Sequence, residues 1–318
     1  MHIPQKRQHR LAATTAAIAA LLLACAGTAN ATEGGGNSYA LGVETNYAGL
    51  MFPDGLHMLA YYAHYNGMHS MDNAGNDSTK LAYFHSEVNS VALRVTYVWP
   101  GIKWLGASVE TRAALPVPTI DLKLGIARPP ALGTLDKSGG ETGIGDLQLA
   151  PILLGWHDGA LHQTAGIEGF LPTAHYDAAE NVNIGRNYRQ IAPIYALTWL
   201  PGASQYSLKL RYARNGTNHD TGYRSGDELS VEFSAGTALA PGLSAGVNGY
   251  LYRQTTDDKL KGLVVNGNGN RGRVAALGPY LSYSATPKVT FILKLQPEFS
   301  ARNRSQGTRL WLQTKIPL

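Results

Sequence analysis

Two strings in this chain carry the spacing of known catalytic or cofactor sites. Gly242-Leu243-Ser244-Ala245-Gly246 has the G-x-S-x-G form, in which a serine nucleophile sits on a sharp turn between a strand and a helix. Here Pro241-Gly242 makes the turn and a strand-like alternation follows, so Ser244 is expected to be a small residue on a strand. Gly267-Asn268-Gly269-Asn270-Arg271-Gly272 has the G-x-G-x-x-G form, which cradles a pyrophosphate only between a strand and a helix. The string stands in a Gly/Asn-rich stretch ahead of another strand, as an outer loop would. His64, His69 and the run Asp72-Asn73-Ala74-Gly75-Asn76-Asp77 hint at a surface cation, but the run departs from an EF-hand loop and solvation is expected. No histidine beyond residue 31 stands beside a serine motif. The chain is expected to be no enzyme and to need no cofactor or metal.

Position along a period of two is the stronger signal. In Ser90–Tyr97, Val91, Leu93, Val95 and Tyr97 alternate with Ser90, Ala92, Arg94 and Thr96. Leu208, Leu210 and Tyr212 alternate with Ser207, Lys209 and Arg211, and Leu229, Val231 and Phe233 with Glu228, Ser230 and Glu232. Val289, Phe291, Leu293 and Leu295 face away from Thr290, Ile292, Lys294 and Gln296. Such alternation marks strands with two unlike faces. Twelve segments show it, near 57–66, 86–99, 105–115, 144–156, 161–171, 189–199, 206–214, 227–238, 243–253, 273–283, 289–299 and 308–316. The links between them are short and long in strict alternation, the long ones being 67–85, 116–143, 172–188, 215–226, 254–272 and 300–307.

That rhythm predicts an all-β fold, a transmembrane antiparallel β-barrel of about 12 strands with tight turns toward the periplasm and loops outward. Trp99, Trp104, Trp156 and Trp199 flank the short turns, where an interfacial girdle belongs. A soluble β-sandwich also alternates, but its links need not.

Lys6, Arg7 and Arg10, then the apolar run Leu11–Ala24 and Ala29-Asn30-Ala31, read as a signal peptide over 1–31. A second reading uses Leu22-Leu23-Ala24-Cys25 as a lipidation box. Setting the three leader cations aside leaves 24 Lys and Arg against 22 acids, which gives a nucleic-acid role no electrostatic footing. The domain plan is a signal peptide at 1–31, a periplasmic or plug segment at 32–56 and an outer-membrane barrel at 57–318. The plug is suggested by glycines with Tyr39, Leu41, Val43, Leu50 and Met51, an apolar set with no core of its own.

With the polar faces inward, the lumen collects Arg94, Glu110, Arg112, Glu168, Lys209, Arg211, Glu228, Glu232 and Lys294. Their signs are mixed, so cross-strand pairs such as Arg211 with Glu228 are expected. Phe170, Ile194, Tyr250, Tyr252 and Trp311 narrow a barrel already slimmer than a general porin, which suits a flat, weakly polar solute.

Along the chain stand Tyr39-Ala40-Leu41-Gly42, Pro53-Asp54-Gly55, Gly143-Ile144-Gly145-Asp146-Leu147 and Leu171-Pro172-Thr173 with Tyr176-Asp177. Asn183-Ile184-Gly185-Arg186-Asn187-Tyr188, Tyr223-Arg224-Ser225-Gly226-Asp227-Glu228, Gly249–Gln254, Asp257-Asp258 and Leu277-Gly278-Pro279 follow. In order and spacing this set resembles the outer-membrane family associated with the meta-pathway of phenol degradation. The resemblance implies a channel for passive uptake of small hydrophobic or aromatic compounds, with outer-membrane lipid and that solute as partners. It supplies no ligand residues, and the ending Ile316-Pro317-Leu318 departs from the aromatic residue that often closes such barrels. An outer-membrane lipid hydrolase and a closed structural or adhesive barrel are the alternatives.

Overall fold

The computed structural model describes residues 36–286 and 289–316. The expected signal peptide at 1–31, with Cys25, lies outside the described residues. Twelve long strands follow: β1 (Gly55–Met71), β2 (Leu81–Trp104), β3 (Ala107–Ile126), β4 (Leu147–Asp158), β5 (Leu161–Leu171) and β6 (Gln190–Trp199). β7 (Ser204–Asn215), β8 (Glu228–Ala240), β9 (Leu243–Gln254), β10 (Arg273–Thr286), β11 (Val289–Arg302) and β12 (Arg304–Ile316) complete the set. Each pairs antiparallel with its neighbours in sequence, and β1 pairs with β12 from Met58–Ile316 to Met71–Arg304. The sheet therefore closes on itself. No helix among the described residues is long and apolar enough to cross a membrane; the strands do that work.

The two faces differ as the alternation requires. Outward, Val91, Val247, Leu251, Leu281 and Leu293 keep 43–55% of their surface exposed. Inward on the same strands, Asn248 and Lys294 are fully buried and Tyr252 nearly so. An apolar exterior around a polar interior inverts a soluble protein, and hydrocarbon is the solvent it fits. Trp99, Trp104 and Trp199 are exposed at the tight-turn end; Tyr97 meets Trp99 edge-on at 5.0 Å, and Tyr206 stacks on Trp199 at 5.5 Å. The turn between β2 and β3 needs positive φ at Leu105 (52°) and Gly106 (77°), the backbone hand of a tight hairpin.

The strands run longer than the alternation predicts at one end. β2 has 24 residues and β3 has 20, against roughly ten needed to cross hydrocarbon. The expected loop 67–85 shrinks to 72–80, and the expected loop 116–143 is strand as far as Ile126. The expected loop 300–307 is mostly strand as well, with a sharp reversal at Asn303 (φ 52°). Above the membrane, strand pairing no longer needs an apolar outer face, so the signal that marks its limits disappears.

Replacing Leu293, whose outward neighbours are Leu281 and Leu312 across the ladder, with arginine is expected to cost about 2–4 kcal/mol in lipid. Urea titration in vesicles checks it; a loss within about 0.5 kcal/mol, normal for a water-facing site, contradicts the lipid contact.

Candidate functional site

Residues 36–54 do not leave the barrel but thread it. Tyr39 and Leu41 are 2% exposed and pack with Phe170, Tyr250, Tyr252 and Val274 from the wall. Lower down, Met51 packs among Val98, Ala150, Leu153 and Ile194. The Gly42 backbone has φ +81°, and a Cβ there would lie 2.1 Å from the Gln296 amide, so only glycine passes. Gly49 lies against the wall itself, where a Cβ would meet the Thr198 nitrogen at 2.6 Å.

Charge fixes the middle of this segment. Glu44 accepts from Arg112 Nη1 at 2.8 Å, from Arg94 and from Lys209. Arg112 Nε also donates to Glu110 at 2.6 Å, and Arg211 Nε to Glu168 at 2.6 Å. Glu232 accepts the backbone N–H groups of Gly42 (2.6 Å) and Glu44 (2.7 Å). Lys294 Nζ donates to the carbonyls of Gly42 (2.6 Å) and Val43 (2.9 Å). Glu232 and Lys294 thus grip opposite poles of the Val43–Glu44 peptide group. Tyr39 adds its ring, with the Arg211 guanidinium 4.5 Å and the Lys209 ammonium 4.9 Å from its centroid. Burial disfavours a charged Glu44, but Lys209, Arg112 and Arg94 outweigh it and hold the carboxyl well below the usual carboxylate range.

All twelve residues singled out in the sequence face inward. Arg94, Arg112 and Lys209 meet at Glu44, while Glu110 and Glu168 pair with cations of that group and with Arg211. Glu228 accepts from Asn215 (2.9 Å) and Asn37 (3.3 Å). Tyr250 donates to Glu298 (2.6 Å); Tyr252 lies under Arg304, and Trp311 under Lys294. The expected pair of Arg211 with Glu228 does not form. The register sets Ser230 opposite Arg211 and Ala213 opposite Glu228, and Arg211 turns toward Glu168 on β5 instead. Ser244 lies on β9 between Ala238 and Ser282 of the flanking strands, and Gly267 closes a short 3-10 turn in an outer loop.

Two features went unread. Glu44 was one, although the proposed lumen set held five cations against four acids, an imbalance asking for one more carboxylate. The other is the upper inner face of β3. Pro116, Pro118, Ile120, Leu122 and Leu124 line a cavity of about 570 Å³ together with their ladder neighbours Val88 and Phe84 of β2 and with Tyr39 and Leu41. Ile120, Leu122 and Leu124 do alternate with Thr119, Asp121 and Lys123, but two prolines in three residues read as a strand breaker.

The family described as "Putative MetA-pathway of phenol degradation" matches residues 70–314. The chain belongs to this family. An outer membrane channel from Pseudomonas putida F1 shares the fold at 17% identity and a TM-score of 0.70, over 87% of this chain and 98% of that one. Looser likenesses are the NanC porin (11% identity, TM-score 0.45, 82% and 100% covered) and the CymD monoaromatic hydrocarbon channel (9%, 0.42, 92% and 98%). No curated protein matches the chain.

Glu44→Gln leaves three lumen cations without their shared carboxylate and is expected to loosen residues 36–54, raising single-channel conductance in planar bilayers. A carboxyl held below its ordinary value of 4.5 stabilises the seated segment above that pH, and the contribution fades only as pH falls through the lowered value. Wild-type protein therefore stays quiet at pH 5 and opens in stronger acid, whereas Glu44→Gln shows the higher conductance throughout. Superimposable traces for the two proteins would refute this role.

Proposed function

We propose that the protein is a passive outer-membrane channel through which small hydrophobic, aromatic solutes enter the cell. The cavity beneath the outer loops carries the reading. Its volume lies in the range of specific small-molecule sites, and its wall sets proline rings, aliphatic side chains and aromatic faces alongside polar groups that include Asn37, Arg94, Arg112, Gln148, Arg186 and Arg304. The apolar side takes the face of an aromatic ring, and the polar side takes a substituent such as a hydroxyl.

In this reading residues 1–31 direct export and residues 36–54 form a plug that denies water a continuous path. The lumen set of Arg94, Glu110, Arg112, Glu168, Lys209, Arg211, Glu228, Glu232 and Lys294 seats the plug. Tyr250, Tyr252 and Trp311 supply flat surface beside it. The plug supports a selective route over a general pore, since a twelve-strand lumen filled by chain admits few hydrated molecules. The partners are the surrounding outer-membrane lipid and the solute itself.

Cells carrying the protein are expected to take up naphthalene several-fold faster than cells lacking it, with glucose uptake unchanged. Equal naphthalene rates with and without the protein would sink the proposal. Deletion of residues 36–54 should admit ions freely; an unchanged conductance would count against the plug.

A further inference from the structure

The cavity beneath the outer loops holds guanidinium charge that no carboxylate of its wall meets. We infer that its solute is an aromatic acid, whose carboxylate is taken by Arg304 and Arg309 of β12 while the ring lies on the apolar rows of β2 and β3. The inference rests on the channel reading and names the substrate class of that same site.

The first observation is a contrast among the inward cations. Arg94, Arg112, Lys209 and Arg211 each meet a carboxylate directly, on Glu44, Glu110 or Glu168. Arg304 and Arg309 line the cavity and form no ion pair among the described residues. Arg304 is 5% exposed and gives one N–H to the neutral amide of Asn37, at 3.2 Å. Arg309 donates to no group among the described residues. Glu228, Glu232 and Glu298 lie within Coulomb reach of this pair, but each is bonded to neutral donors. Glu298 accepts from Tyr250 (2.6 Å), Tyr65 (2.9 Å) and the Gly307 N–H (2.9 Å), Glu228 from Asn215 and Asn37, and Glu232 from the backbone of Gly42 and Glu44.

The second observation is that this end of the cavity offers donors alone. A guanidinium carries five N–H groups and no acceptor, and the indole of Trp311 adds one N–H more. Arg304 Nε, Arg309 Nε and Trp311 Nε1 all lack a hydrogen-bond partner, and all three side chains border the cavity. Folded interiors leave few such groups unmet, because each costs about 1–3 kcal/mol. The guanidinium planes are held in place by rings. Arg304 lies 4.6 Å from the centroid of Tyr252, and Arg309 lies 4.9 Å from that of Tyr65, its ladder partner on β1. Stacking of this kind fixes a planar fork without consuming its N–H groups. A neutral hydroxyl answers one such donor. A carboxylate answers several, with two oxygens and the opposite charge.

The third observation is the order of chemistry around the wall. β12 carries the cations, β1 adds Tyr61 and Tyr65, and β2 and β3 follow with Val88, Pro118 and Ile120, all lining the same cavity. A bare hydrocarbon covers the apolar rows and leaves both guanidiniums unmet. A small anion without a ring meets the guanidiniums and leaves the apolar rows uncovered. An aromatic acid satisfies both halves at once, and its charge leaves water only for a site that already holds the counter-charge.

Titration calorimetry on the protein purified from outer membranes tests this at neutral pH, where benzoate is an anion. Benzyl alcohol, a neutral analogue of similar size, and acetate, an anion without a ring, are the comparison probes, with heats corrected against protein-free micelles. Benzoate is expected to bind at least tenfold tighter than either. Arg309→Gln, with folding checked by heat-modifiable mobility, is expected to weaken benzoate at least tenfold and to leave benzyl alcohol within twofold of wild type. Arg309→Lys, which keeps the charge but not the fork, is expected to fall between. Benzoate bound no tighter than benzyl alcohol in wild type, or equally by wild type and Arg309→Gln, overturns the carboxylate site while leaving the channel standing. Benzoate bound no tighter than acetate overturns the place given to the ring. Cells carrying the protein that take up neither benzoate nor naphthalene faster than cells without it overturn the channel reading itself.

Discussion

Backbone hydrogen bonding in a solvent that offers none is the constraint from which the rest of this molecule follows. An unpaired peptide group in hydrocarbon costs several kcal/mol, so the sheet must end where it began, and β1 is bound to β12 along thirteen registered pairs. Closure then fixes the alternation: every second side chain belongs to lipid and every other to the lumen. The exposed Leu251 and the buried Tyr250 and Tyr252 are consequences of one ladder register.

Closure also creates a problem that the N-terminal segment answers. A closed sheet of twelve strands encloses more space than its inward side chains fill. The wall spends its charges on residues 36–54, with Glu232 accepting N–H groups and Lys294 donating to carbonyls of the same turn. Those polar contacts sit behind an apolar shell, where a lone charge is costly and a paired one is held firmly. Glu44 gives Arg94 its ion-pair partner and joins Arg112 and Lys209, which also pair with Glu110 and Glu168, into one network.

Most of the architecture was legible because hydrocarbon imposes its demand residue by residue. The twelve strands and the inward set, from Arg94 to Trp311, follow from polarity at period two. What stayed hidden obeys other rules. Strand above the membrane needs no greasy outer face, so β2 and β3 run on unseen past the expected ends. Ion-pair partners depend on register, which no single strand encodes; hence Arg211 reaches Glu168 across β6 rather than Glu228. Glu44 belongs to an irregular segment, where no periodicity could announce it.

The prolines of β3 show how one strand can obey the closure rule and still bend it. Below Ala114 the ladder with β4 is regular apart from a bulge near Glu110, and above Thr119 it is taken up by a different segment. Pro116 and Pro118 occupy the interval, with their missing donors turned to the edge where Gly145 and Gly143 donate to their carbonyls, and their rings turned to the cavity. Placed one residue earlier or later, the same prolines would break the ladder to β2 and point at lipid. Their spacing of two keeps both rings inward and both gaps on one edge. Strength along β2 and weakness toward β4 are therefore properties of where two imino acids fall in a period of two.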